Sequence, residues 1–358
     1  LTSVTGTFTS AGNDTMKLLL SSTSGVDISA VTMTAVDNVG LDTDADGTMT
    51  VAQHNVINSA AGANQATLTD TGTFTANTAV ETYVLKATGG TTITLSAAGQ
   101  NVTTGANGAD TINVAGLTAT GTYNTVAADI IKIGSGGSIA GVKETGGAVG
   151  GALDATNLTL VTGASVSMTA AQHNGFSGTV TAAGTEQITL TTAGTVTGES
   201  VIETYVLSGI GNVFTLGAAA QSVNTGSGGA NTIDFAARTA TGTMVTQASD
   251  TIKLSNGANI AGVTKAGAGA GDAFTATNLT LASGASVSMT AAQNNGLSGT
   301  VSVGGTNTFT MTTAGAVTAI SGVETYQLAA GAQTVTLADG GQNVTADGAG
   351  GNGLVTID

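Results

Sequence analysis

Thr91-Thr92-Ile93-Thr94-Leu95-Ser96-Ala97-Ala98-Gly99-Gln100-Asn101-Val102-Thr103 contains two short runs in which apolar and polar residues alternate, joined by small turn formers. Period-two alternation marks a strand with one buried face. The rhythm continues on both sides. Apolar strand centres fall at Tyr83, Ile93, Val102, Ile112, Tyr123 and Ile131, in steps of 10, 9, 10, 11 and 8 residues, with Gly, Ala, Asn and Thr in the turns between them. Two steps make about 19 residues, one turn of a two-stranded coil. Asp110 and Asp129 are 19 residues apart, as are Asn231 and Asp250. The reading is an all-β fold, a parallel β-solenoid of the β-helix or β-roll kind. Tandem immunoglobulin-like β-sandwiches are the alternative, because evenly spaced short strands suit both. A sandwich favours larger core residues and tolerates Pro in its loops. This chain has no Pro, no Trp and 3 % aromatics.

A longer period overlies the short one. Glu81-Thr82-Tyr83 returns as Glu203-Thr204-Tyr205 and Glu324-Thr325-Tyr326, and Met49-Thr50-Val51-Ala52-Gln53 returns at Met168–Gln172 and Met289–Gln293. Asp14-Thr15-Met16-Lys17-Leu18 returns at Asp129–Ile133 and Asp250–Leu254. About three units of roughly 121 residues result: a partial unit over 1–80, full units over 81–202 and 203–323, and a partial unit over 324–358 that continues the solenoid. Each unit is predicted to carry one short helical turn. Thr50 to Gln53, Thr169 to Gln172 and Thr290 to Gln293 fit the capping box, and Gly175 and Gly296 stand where such a helix would stop. Thr5-Gly6-Thr7-Phe8 matches Thr120–Tyr123 and Thr241–Met244, while Thr356-Ile357-Asp358 matches Thr232–Asp234. Neighbouring copies, or further repeats, are therefore expected to continue the coil.

Composition narrows the function. The net charge is −15, yet only 8 % of residues are charged, far below the usual quarter. Seven basic residues argue against a nucleic-acid partner, which needs clustered cations. No apolar run is long enough for a membrane span, and no signal-peptide pattern opens the chain. Without Cys there are no disulfides or thiolate sites.

Gly105-Ala106-Asn107-Gly108-Ala109-Asp110-Thr111-Ile112-Asn113 resembles the calcium-binding nonapeptide of RTX (repeats-in-toxin) proteins, with one Gly replaced. Gly226 to Asp234 is a poorer copy, with Asn231 at the Asp position. Gly322-Val323-Glu324-Thr325 resembles a strand found between such nonapeptides in S-layer and adhesin-like proteins of Gram-negative bacteria. The resemblance implies a parallel β-roll, type I secretion to the cell surface, and folding driven by calcium. In that family nonapeptides are consecutive and share ions; here they are single.

The residues themselves offer two candidate cation sites. Asp42-Thr43-Asp44-Ala45-Asp46-Gly47 has the alternating carboxylates and Gly that open an EF-hand-type loop, with Gln53 at its twelfth place instead of Glu. Asp110, with Gly105 and Gly108, could ligate calcium through carboxylate and backbone oxygens; the competing reading is an Asp-stabilised turn. Glu81, Glu203 and Glu324 read as solvated edge charges, with metal ligation or an interface feature as the alternative. Lys17, Lys132 and Lys253 fall on outward positions, where they can pair with carboxylates one turn away. His54 and His173 recur as Asn294 in the third unit, which suits decoration of a short helix and not an essential site. Thr-x-Thr triplets such as Thr92-Ile93-Thr94 raise ice binding as a minor idea. No P-loop, G-x-S-x-G or H-E-x-x-H is present.

The expectation is a non-enzymatic extracellular structural protein on the bacterial surface. Its partner is itself, end to end or laterally, in a layer or filament steadied by a few calcium ions; cell-surface polysaccharide is a further partner. The alternative is the stalk of a secreted adhesin. A polysaccharide-degrading β-helix enzyme is disfavoured, because such a site clusters acids and bases beside aromatics.

Overall fold

The computed structural model describes residues 3, 5–9, 17–20, 25–34, 38–59, 61–106, 108–346 and 355–357. The chain divides into two compact units, Leu1–Gly184 and Thr185–Asp358.

In the first unit, successive strands alternate between two sheets. Thr82–Leu85, Asn101–Thr103 and Thr122–Asn124 lie side by side in one, while Thr73–Thr75, Thr92–Thr94, Thr111–Ala115 and Ile130–Ile133 lie side by side in the other. Each strand therefore pairs with the next but one in sequence, and the pairing is parallel: Thr82 with Asn101, Tyr83 with Val102, Thr92 with Thr111, Ile93 with Ile112. That is a β-solenoid. The immunoglobulin-like alternative falls here, because a sandwich is built of antiparallel sheets. Two small parallel sheets precede these, Gly6–Thr9 with Val31–Thr34, and Lys17–Leu20 with Asn38–Leu41 and Ile57–Ser59.

The second unit repeats the scheme. Gln187–Leu190, Thr204–Leu207, Ser222–Asn224, Thr243–Val245 and Thr264–Lys265 are neighbours in one sheet, and Thr195–Thr197 through Val301–Ser302 form a six-stranded one. A fresh sheet then runs Ser286–Met289, Thr308–Met311, Thr325–Leu328, Asn343–Ala346, facing the ladder of Gly315–Thr318, Gln333–Thr336 and Val355–Ile357. The ladders between these strands are parallel, and one isolated antiparallel bridge joins Thr264 to Ala270.

Burial follows the alternation. Strand Thr92–Thr94 reads half-buried, buried, half-buried, and Thr111–Ala115 continues the pattern. Tyr83, Ile93, Val102, Ile112, Tyr123 and Ile131 are all within 1 % of full burial. Stacked in register, they form inward columns such as Phe74, Ile93, Ile112, Ile131. Each fully buried Ile, Val or Leu contributes about 1.5–3 kcal/mol. The turns are less uniform than a 19-residue repeat implies. Gln65 pairs with Thr82, 17 residues on, whereas Ile130 pairs with Asn157, 27 on. The extra length lies between Ile133 and Asn157 in one repeat and between Leu254 and Asn278 in the next.

Three helices, α1 (Val51–His54), α2 (Ala170–Gly175) and α3 (Ala291–Gly296), occupy the predicted places. Thr50, Thr169 and Thr290 cap them, each within a complete capping box. The Gln of the box has a second role. Gln53 accepts from the Thr50 N–H at 2.8 Å and donates through Nε2 to the carbonyls of Ile28 and Val31 at 2.7 and 2.8 Å. Gln172 does the same to Ile139, and Gln293 to Ile260. A capping Glu could not donate.

One sequence equivalence shifts. Lys17 pairs with Asn38, where the later repeats pair Ile130 with Asn157 and Thr251 with Asn278, so Lys17 does not stand in the place of Lys132. A slip of two residues keeps the same alternate side chains on the same face, so the hydrophobic pattern resists it weakly. Asp14 to Met16 and Asp358 lie outside the described residues.

Candidate functional site

At the glycine-rich turn, Gly105 and Gly108 lie close against the backbone of the preceding coil at Ala87 to Gly89. Asp110 is fully buried. Its Oδ1 accepts from the Thr91 N–H at 2.9 Å and its Oδ2 from the Gly105 N–H at 3.2 Å. Its own N–H donates to Asp129 Oδ1 at 2.9 Å. The two glycines serve close approach. A Cβ on Gly105 would meet the Ala87 carbonyl, and one on Gly108 (φ +143°) would run into the Gly89 backbone. Asn107, within the same nonapeptide, lies outside the described residues.

Asp129 extends the network. It is also fully buried, and its Oδ2 accepts from Thr104 Oγ1 at 2.6 Å and the Val126 N–H at 2.8 Å. Burial pushes its carboxyl above the ordinary carboxylate range, against the pull of these hydrogen bonds. The second unit contains a close copy. Asn231 Oδ1 accepts from the Asn212 N–H at 2.9 Å, the Asn231 N–H donates to Asp250 Oδ1 at 2.9 Å, and Asp250 Oδ2 accepts from Thr225 Oγ1 at 2.6 Å and the Gln247 N–H at 2.7 Å. At both turns these side chains satisfy backbone donors that the sheet ladders leave unpaired.

The acidic turn is built differently. Asp42 and Asp44 are exposed, while Asp46 opens the strand Asp46–Met49 and is half-buried. Asp42 Oδ1 accepts from the Thr43 N–H at 2.9 Å, and Asp44 (φ +56°) reaches across to the Ala63 N–H at 2.7 Å. Gly47 makes no bend. It sits buried inside the strand, where a Cβ would strike Met49 and Leu20. Gln53, the twelfth position, is committed to its helix and to Ile28 and Val31. Among the described residues no three His, Cys, Asp or Glu side chains gather as a metal site. Calcium takes six to eight oxygens; the carboxylates of Asp42, Asp44 and Asp110 are turned to backbone N–H groups.

Other expectations change with burial. Glu81, Glu203 and Glu324 are not solvated edge charges. Their Oε2 atoms accept from the N–H groups of Asn64, Glu186 and Asn307 at 2.8, 2.8 and 2.6 Å, 17 residues back along the coil. His54 and His173 stand on the short helices α1 and α2 as expected, but inward: both are at least 97 % buried. His54 stacks edge-on to Phe74 with centroids 4.7 Å apart, and its Nε2 lies 3.1 Å from the Tyr83 hydroxyl. Loss of hydration lowers both imidazoles to about 4. Lys253 does pair with Asp234 one turn away, at 2.8 Å. The Thr columns are short: Thr73, Thr92 and Thr111 are followed by Ile130, and Thr75 and Thr94 by Asn113 and Lys132.

A repeated feature with no forewarning in the motifs is a second glutamine series, Gln100, Gln221 and Gln342, spaced 121 residues apart. Gln100 Oε1 accepts from the Ser96 and Ala97 N–H groups, and its Nε2 donates to the carbonyls of Asn77 and Val80. Gln221 and Gln342 repeat the pattern. The regular spacing was the available signal.

No family model, no curated protein and no solved structure matches the chain. Among the described residues no helix is long and apolar enough to cross a membrane.

Proposed function

We propose that the protein is an extracellular structural protein of a bacterial surface, non-catalytic, whose solenoid coil continues from one copy to the next in a layer or filament. One observation carries this reading. The strand Asn343–Ala346 holds the place that Asn101–Thr103 and Ser222–Asn224 hold in earlier repeats, and those strands pair outward with Thr122–Asn124 and Thr243–Val245. The strand Gly6–Thr9 corresponds to that outer pair. It meets Val31–Thr34 just as Thr122–Asn124 meets Lys143–Glu144 and Thr243–Val245 meets Thr264–Lys265. The two strands are complementary in register. Val344 is only half-buried, while Val102 and Val223 are 1 % exposed under their covering strand. A parallel edge in this state is a template for a further strand, and one of the Gly6–Thr9 type fits it, supplied by a second copy or by a further repeat of a longer chain. The RTX-like and S-layer-like motifs agree with this reading.

In such an assembly Thr345 would stand opposite Thr9 of the next copy, as Thr103 stands opposite Asn124 and Asn224 opposite Val245 within the chain. The chain has no Cys, so a Thr9→Cys/Thr345→Cys variant reports this contact without background. Mild oxidation should give a ladder of covalent multimers on a non-reducing gel. The off-register Thr7→Cys/Thr345→Cys pair should give far less. If the first variant stays at monomer mass in concentrated solution, and electron microscopy shows no polymer, the assembly reading is wrong.

A further inference from the structure

We infer that this solenoid closes without calcium: at the glycine-rich turns that resemble calcium nonapeptides, the Asp or Asn side chain serves as a hydrogen-bond acceptor for the backbone, in the place where a cation would otherwise bind. The inference rests on the fold alone and stands or falls separately from the assembly reading.

The carboxylates of the first turn already have partners in the backbone. Both oxygens of Asp110 accept backbone N–H groups, and both oxygens of Asp129 do likewise, with the Thr104 hydroxyl as an additional donor. An oxygen that accepts one N–H keeps a second lone pair, but calcium takes six to eight oxygens, and here backbone N–H groups, positive ends first, already surround these carboxylates. Both side chains are 0 % exposed.

The second turn makes the same point by substitution. Asn231 stands in the place of Asp110, with the same acceptor bond to the residue 19 positions back and the same N–H donated to a buried Asp 19 positions on. Its Nδ2 donates to the Thr225 carbonyl at 3.2 Å. An amide has one acceptor oxygen and no charge. It serves a hydrogen-bond ladder as well as a carboxylate does, and it is a much poorer calcium ligand. One architecture therefore works with either residue, which is expected of an acceptor and not of a cation ligand.

The test is thermal unfolding followed by far-ultraviolet circular dichroism, on the full chain, in excess EGTA, in calcium, and in magnesium as a control for general screening of the net negative charge. A calcium site held at about a hundredfold excess over its Kd would raise the midpoint by roughly 5–10 °C. The expected result is a folded β spectrum in EGTA, with midpoints in the three conditions within about 2 °C. Asp110→Asn should shift the midpoint equally with and without calcium. A chain unfolded in EGTA, or a calcium-specific rise, overturns the inference. Loss of that rise in Asp110→Asn would then locate the ion at this turn, and its persistence would locate it elsewhere.

Discussion

Acidification should destabilise the unit Leu1–Gly184 through two imidazoles, and the effect can be sized. His54 and His173 are the only histidines of the chain, and both belong to this unit. Each is lowered from the ordinary 6.5 to about 4, chiefly because burial strips hydration from the charged form. The folded state therefore binds fewer protons than the unfolded one between these values. The stabilisation is complete above about 6.5 and is lost as pH falls toward 4. Between about pH 7.5 and about pH 4.5, linkage gives a loss of ~2.5 kcal/mol per ring, or ~5 kcal/mol for both. That is a large part of the 5–15 kcal/mol typical of a folded domain. Carboxylates also titrate near the lower end, so a variant must isolate the histidines. The third repeat supplies it: Asn294 fills the same position on α3 and donates to the Thr318 carbonyl at 2.9 Å. Denaturant titrations of the wild type and of His54→Asn/His173→Asn, at both pH values, should show the wild type losing ~5 kcal/mol more than the variant. Imidazole NMR gives the direct check. Resonances that titrate near 6.5 in the folded protein, or stability curves that fall in parallel for both proteins, would refute the reasoning.

Further outcomes follow from the polar interior. Gln172→Glu should cost about 2–4 kcal/mol in urea unfolding, although Glu is ordinarily a good capping-box residue, because a buried carboxylate would face the Ile139 carbonyl. Tyr326→Phe removes the acceptor of the Ile320 N–H, a bond of 2.7 Å in a buried place, and should lower stability by about 1–3 kcal/mol. Ile112→Ala, at 0 % exposure in the inward column, should cost about 2–5 kcal/mol by the same assay. Lys253→Ala should cost under about 1 kcal/mol, and less in high salt, since Lys253 is 40 % exposed in its pair with Asp234.

Much of the fold was legible because the hydrophobic alternation is uninterrupted where the coil is regular. The strand centres Tyr83, Ile93, Val102, Ile112, Tyr123 and Ile131 are all inside, and the capping boxes begin helices as expected. What escaped was the fate of polar residues. Nothing in the local pattern around Glu81 or Gln100 distinguishes a solvated side chain from one that reaches a backbone group a turn away, because the partner is 17 to 23 residues distant. His54 misled for a similar reason. A four-residue helix has no amphipathic period long enough to show which face is covered. The acidic turn at Asp42, Asp44 and Asp46 reads as a ligand loop by spacing alone. In the fold, Asp46 has entered a strand and Gly47 fills an inward place.

The three repeats also act as an internal comparison that bears on role. The residues that recur in type at all three places are those that hold the coil together. Tyr83, Tyr205 and Tyr326 are fully buried. Thr50, Thr169 and Thr290 cap the helices, and Gln53, Gln172 and Gln293 tie them to neighbouring carbonyls. Outward positions drift instead. Val84 and Val206 give way to Gln327, and Thr103 and Thr345 bracket Asn224. Some outward residues recur nonetheless, Thr82, Thr204 and Thr325 among them, and the strand edges recur with them. Pairing at those edges needs backbone geometry and register, with little demand on side-chain identity, which is why the structural reading accommodates a surface this variable and this sparsely charged.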